Sequence, residues 1–246
     1  MGYWINMDDA YITYKNEYIE SVWWSLKKFF DAGLIYRGFK IQPYCPRCET
    51  PLSTHEVAQG YEDVKDPSAF VVFKIKNGQS LDGFQFLVWT TTPWTLISNV
   101  ALAVGPEITY AKIQFKDTGE KLILAKERLS VIKEDYEILG EIKGSELEKI
   151  KYEQLLPYVK PDDGYEAFYV TLGDFVSTAD GSGIVHIAPA FGEDDYQISR
   201  KYNLPVMQPV NKSGKFTDEV TDFKGRFVKE ADDDIILKLK EEKKLY

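Results

Sequence analysis

The chain has 246 residues, 44% of them hydrophobic, and a formal net charge of −9 at pH 7. That length and apolar content bury a real core, as one large domain or one domain with an appendage, while the acidic balance argues against strong nonspecific nucleic-acid binding by this chain alone. No run approaches the roughly 18 apolar residues of a membrane span, and two cysteines in such a length make no disulfide framework, which favours a reducing, cytoplasmic setting.

The first residues lack the basic and then apolar layout of a signal peptide, and residues 1–15 show no clean period. From Asn16 a helix is expected, because Ile19, Val22, Trp23, Leu26, Phe29 and Phe30 recur on one helical face. Asn16 reads as its N-cap and Gly33 as its stop. A helix with two tryptophans and two phenylalanines on one side is expected to pack against something substantial.

An extended segment over residues 34–44 leads into Cys45-Pro46-Arg47-Cys48. A CxxC on a tight turn presents two thiolates to one tetrahedral ion, the shape of a zinc knuckle. Zinc needs four ligands, and the chain has no other cysteine and only two histidines, so Cys45 and Cys48 make half a structural zinc site. The alternative is a purely structural pair. His55 is either a third ligand or an ordinary surface histidine.

Beyond Gly60 the character changes to short strands, expected at 69–76, 84–90, 100–104, 109–115, 121–124 and 165–172. Asn77-Gly, Asp82-Gly, Gly105-Pro and Asp117-Thr-Gly punctuate them. So many strands with few helices between them predict an α+β, β-rich fold built on a closed or barrel-like core with peripheral helices. Helices are expected at 126–133, 145–154 and 229–244, the last with Ala231, Ile235, Ile236 and Leu239 on one side.

Two stretches stand out chemically. In the first, the apolar strand Phe86–Trp89 runs into Thr90, Thr91 and Thr92, and Pro93 ends its pairing. A row of hydroxyls at the end of a buried strand donates to and accepts from a ligand, although threonine is also simply a good strand residue. In the second, the turn Asp180-Gly-Ser-Gly leads to a short strand Ile184-Val-His186, and Ala188-Pro-Ala-Phe-Gly192 crosses to a helix opening at Glu193. His186 then sits at a strand end and Asp195 in the first turn of a helix, where the dipole favours a carboxylate.

Together the stretches match a known pair of motifs. Trp89-Thr-Thr-Thr-Pro-Trp-Thr95, with Gly181-x-Gly-Ile-Val-His-x-Ala-Pro-x-Phe-Gly-Glu-x-Asp195, closely resembles the editing domain of isoleucyl-tRNA synthetases. Ile19-Glu-Ser-Val-Trp-Trp and Pro43-Tyr-Cys-Pro-Arg-Cys-x-Thr-Pro-Leu-Ser-x-His-Glu-Val-Ala resemble the region leading into it, so the likeness spans essentially the whole chain. The resemblance implies residues 1–60 as a linking region and 61–246 as the editing domain. The sister synthetases for valine and leucine carry Thr-Thr-Arg-Pro where this chain has Thr-Thr-Thr-Pro-Trp. The chain departs from the family at Ile97, where a proline is more usual, and this leaves the turn geometry open.

What the resemblance implies is hydrolysis of valine mischarged on isoleucine tRNA, and of valyl-adenylate as a further substrate. Asp195 matches the family residue that holds the substrate's α-ammonium, and Thr90, Thr91 and Thr92 those that bond the terminal adenosine, the ester or the attacking water. His186 matches the residue that walls off a larger side chain. Trp89, Trp94, Asn99 and Phe191 are the remaining candidates for the substrate site. No cofactor is expected for hydrolysis. The implied partners are the acceptor end of isoleucine tRNA and the remainder of the synthetase, with no membrane. Neither the HIGH nor the KMSKS signature of an aminoacylation site occurs in the chain, so a piece without ligase activity is expected, ending before the family's second CxxC. A noncatalytic acceptor-binding module, a zinc-ribbon interaction module and valine- or leucine-type editing are the competing readings.

Overall fold

The structure is a computed structural model that describes residues 2–246 apart from Ile5 and Gln79. The chain divides into two compact units, Met1–Lys40 and Ile41–Tyr246. Residues 41–60 therefore group with the β-rich part and not with the N-terminal helix.

In the first unit, helix α1 spans Asn16–Asp31. Asn16 is its first helical residue; the extended residue before it, Lys15, gives no side-chain cap, so Asn16 is not the N-cap. The other end matches expectation. Gly33 takes φ +70°, its N–H donates to Phe30 O at 2.9 Å, and Leu34 N–H donates to Phe29 O at 2.9 Å. That paired closure is a Schellman stop, for which a residue without Cβ is suited. No residue of α1 is buried.

The second unit opens with the hairpin β1 (Tyr44–Cys45) and β2 (Thr50–Pro51), followed by helix α2 (Thr54–Ala58). Ser53 and Glu56 cap α2 reciprocally. Eight strands follow: β3 (Ala69–Lys74), β4 (Phe84–Thr90), β5 (Ala101–Val104), β6 (Thr109–Phe115), β7 (Lys121–Ala125), β8 (Tyr136–Lys143), β9 (Tyr169–Leu172) and β10 (Ile184–Ile187). Helices α3 (Glu193–Tyr202) and α4 (Asp232–Glu241) come last.

Among the described residues these eight strands form two open sheets, ordered β3-β4-β7-β6-β8 and β10-β5-β9, beside the two-stranded β1-β2 hairpin, and no closed barrel. Sequence spacing marks most of these strands but not how their hydrogen bonds close. Strand β3 alternates, with Ala69, Val71 and Phe73 buried on one face. Strand β5, Ala-Leu-Ala-Val, is buried throughout because it lies between two partners. Phe73, Phe86, Leu102 and Ile123 share one core with Ile235 and Leu239 of α4, so the C-terminal helix is part of the structural core.

Several expectations differ, among them the helix expected at 126–133, which is a 3-10 turn over Lys126–Val131. Strand β8 was not expected; it is an edge strand with exposed Glu137, Ile138 and Leu139 and a register shift opposite Lys112 and Ile113, so no simple alternation marks it. The helix expected at 145–154 is only a 3-10 turn, Gly144–Leu147. Lys149 takes φ +65°, which stops a right-handed helix, and Lys151 and Tyr152 bridge to strand neighbours instead. The last helix is shorter than 229–244. After it the chain lies along β3, with Val72 N–H donating to Lys244 O and Tyr246 N–H to Phe70 O, both at 2.9 Å.

Tyr152 is fully buried, and its hydroxyl donates to Asn99 Oδ1 at 2.7 Å. Asn99 in turn donates to Ala101 O at 2.8 Å. Tyr152→Phe is expected to cost about 1–3 kcal/mol, since it strips a buried carbonyl oxygen of its donor. A lower denaturant midpoint with an unchanged m-value checks this.

Candidate active site

The strand β4 passes at Pro93 into a 3-10 turn, Pro93–Ser98, and the chain then enters β5. Strand β10 runs antiparallel to β5, with His186 opposite Leu102, and Val100 N–H donates to Ile187 O at 2.9 Å. This register carries the end of β10 and the start of α3 up against the threonine turn. Between them lies a pocket of about 320 Å³. Trp89, Thr90, Thr91, Thr92 and Thr95 line it from the first stretch, and His186, Phe191 and Asp195 from the second. Val185, Ala188 and Gly192 complete the wall.

The hydroxyls are linked. Thr92 N–H donates to Thr90 Oγ1 at 3.1 Å, and Thr92 Oγ1 lies 3.4 Å from Thr90 Oγ1 and 3.2 Å from Thr95 Oγ1. The Thr95 hydroxyl donates to Thr92 O at 2.8 Å and lies 3.1 Å from His186 Nε2. With its one proton given to Thr92, Thr95 Oγ1 is left to accept, which assigns the proton of neutral His186 to Nε2. The buried Nδ1 has no hydrogen-bond partner. Thr90 and Thr95 are buried and Thr91 is exposed.

His186 is 7% exposed, and burial pushes its pKa down to about 4 from 6.5. It is therefore neutral at pH 7. An unfolded histidine takes up a proton below pH 6.5 whereas the folded one does so only near 4, so stability is expected to fall as pH drops through that window. The full effect is about 3 kcal/mol, read as the pH dependence of the denaturant midpoint, and it should be missing from a His186→Gln variant.

Asp195 is half-buried at the start of α3, and its Oδ2 accepts the Ala188 N–H at 2.9 Å. Burial raises its pKa, the Ala188 N–H opposes this, and Asp194 adds to the rise. Among the described residues no lysine or arginine bridges to it. A Cβ at Gly192 would come within 2.8 Å of the Asp195 carboxyl carbon, so the glycine makes room for the side chain at the helix start. The pocket thus offers a partly desolvated carboxylate without a cation, a chain of hydroxyls and a neutral imidazole.

Trp94 and Asn99 do not line this pocket. The Trp94 ring packs edge-on against Phe191, centroids 4.6 Å apart, and Asn99 is 2% exposed in the core network with Tyr152. Thr95 had been given no role from sequence. The signal was there: Pro suits the first position of a helical turn, and three residues per 3-10 turn place Thr92 and Thr95 on one side.

Cys45 and Cys48 lie on the β1–β2 hairpin, where Cys48 N–H donates to Cys45 Sγ at 3.4 Å. Among the described residues no group of three or more His, Cys, Asp or Glu side chains gathers to hold a metal, and His55 Nε2 is 3.0 Å from Gln59 Nε2. Two thiols without further ligands do not fit a complete zinc site. No described helix is long and apolar enough to cross a membrane.

Residues 1–236 match the family model of class I tRNA synthetases (I, L, M and V). The chain is 53% identical over 246 residues to the isoleucine–tRNA ligase of Clostridium acetobutylicum, covering all of this chain and 23% of that protein. It is 50% identical over 240 residues to the isoleucine–tRNA ligase of Thermoplasma volcanium, covering 98% of this chain and again 23% of the relative. The chain thus spans about a quarter of the length of these curated relatives. Its structure is similar to the editing domain of the cytosolic leucyl-tRNA synthetase of P. falciparum, with a TM-score of 0.56, 10% identity, and coverage of 73% of this chain and 98% of that one. The corresponding domain from P. knowlesi gives a TM-score of 0.52 at 13% identity, covering 73% and 95%. At such identities the likeness is one of fold alone. The chain belongs to the class I tRNA synthetases.

Proposed function

We propose that this member of the class I tRNA synthetases is the proofreading unit of an isoleucine enzyme, hydrolysing valine from mischarged isoleucine tRNA. The observation that carries the reading is the convergence of Thr90, Thr91, Thr92, His186 and Asp195 on one pocket. Residues 61–246 are then the editing domain and 1–60 the region leading into it. Its partners are the tRNA acceptor end carrying valine and the remainder of the synthetase.

The chemistry follows from the side chains. Asp195 has no cation of its own and takes the α-ammonium of the aminoacyl group, a charge-assisted bond that favours its ionised form against the upward pull of burial. The threonine hydroxyls orient the terminal ribose, the ester carbonyl and a water. The water oxygen bonds to the ester carbon, the bond to the ribose oxygen breaks, and that oxygen takes the proton the water gives up. Thr95 is not the nucleophile: its proton is engaged by Thr92 O, and His186 is too weak a base to draw it off.

His186 forms the steric wall. One methylene in an apolar pocket is worth only about 1–3 kcal/mol, a magnitude already known for isoleucine against valine in this enzyme class. A first pocket that accepts isoleucine therefore admits valine, and a second that is too small for isoleucine removes it. The same pocket takes valyl-adenylate, which carries the same ammonium and acyl group. Incubation with valine-charged isoleucine tRNA tests the reading: release of valine above the buffer rate is expected, and no acceleration at saturating chain contradicts it.

A further inference from the structure

We infer that Asp232, on the C-terminal helix and outside the pocket, is a positioning residue that sets the threonine wall through the backbone of Trp94. The 3-10 turn Pro93–Ser98 begins with a residue that has no N–H, and Thr95 N–H is taken by Thr92 O at 3.0 Å. Trp94 N–H is thus the donor that the turn itself leaves over, and Thr92 supplies no side-chain cap. Asp232 Oδ1 accepts it at 2.8 Å from 138 residues further along the chain.

Acids at a helix start ordinarily face water, as Asp233 and Asp234 do here. Asp232 instead turns inward and is 2% exposed. Its charge is balanced at longer range by Lys229, whose Nζ is 3.8 Å from Oδ2 and 2.9 Å from Asp66. A buried carboxylate is costly without such company. Trp94 is consequently gripped twice, at its backbone by Asp232 and at its ring by Phe191 of the opposite wall. Thr92, at the N-cap position of the turn, and Thr95, the residue after Trp94, both line the pocket, and Thr95 reaches His186.

The kinetic consequence rests on the proofreading reading; the positional one does not, and the test separates them. The chain carries Asp232→Ala, Asp232→Asn or Asp232→Leu, the last filling the same space without an acceptor in case the alanine variant fails to fold. The Trp94 amide resonance and the methyl resonances of Thr92 and Thr95 are followed, together with kcat and KM for valine release. Loss of the acceptor is expected to shift all three resonances and to lower kcat about ten- to a hundredfold with little change in KM. Asparagine, which keeps an acceptor, should restore both. Unmoved resonances in a folded alanine or leucine variant, or an unchanged kcat in an otherwise active chain, would overturn the inference. Shifted resonances in a chain that releases no valine would uphold the positioning and sink the proofreading reading instead.

Discussion

Removing the Asp195 charge is expected to reduce valine release by roughly 10²- to 10³-fold. Truncating one partner of a desolvated charge pair typically costs about 2–5 kcal/mol, much of it the penalty of leaving the other charge unpaired. Here the unpaired charge is the substrate's ammonium, and among the described residues no lysine or arginine forms an ion pair with Asp195. Two substitutions separate binding from folding. Asp195→Asn keeps an oxygen for the Ala188 N–H, whereas Asp195→Ala leaves that N–H without its 2.9 Å partner and adds a stability loss of about 1–3 kcal/mol. Both variants should lose activity to a similar degree while only alanine lowers the unfolding midpoint. Full activity in the asparagine variant would show that hydrogen bonding alone holds the substrate. Because burial raises the Asp195 pKa, activity should also fall in acid at a higher pH than an exposed aspartate allows.

The second large effect is on selectivity. His186→Ala removes a buried wall of the pocket, so the isoleucine ester is expected to become a substrate. The preference for valine over isoleucine should shrink by about ten- to two-hundredfold, the range one methylene spans. The measurement is kcat/KM for both esters in the same preparation. Because the wild-type histidine is neutral at pH 7, the selectivity should not change across pH 6 to 8. A preference that survived the substitution would place the steric wall elsewhere, with Trp89 and Phe191 the next residues to test.

Much of this candidate site is legible in the sequence. Strands β4 and β6 fall on the residues that their apolar runs and turn residues mark, and the threonine row and the His186–Asp195 stretch fall on one pocket. Local patterns carry that information because strand ends and helix starts are local events. What was not legible depends on distant partners. The ring contact of Trp94 and the core bonds of Asn99 come from Phe191 and Tyr152. Sequence spacing also cannot show that the sheets stay open, or that Lys149 adopts a left-handed backbone and ends a helix its neighbours favour. Asp232 reads as one of three acids at a helix start until the fold brings it beneath the turn.

The most direct test of the central claim is the release of labelled amino acid from isoleucine tRNA charged with valine and, separately, with isoleucine. Unaltered chain and the Asp195→Asn variant are compared at equal concentration. Rapid loss of valine, retention of isoleucine and silence of the variant are the predicted result. Equal release of both amino acids, or release that does not depend on Asp195, would contradict it.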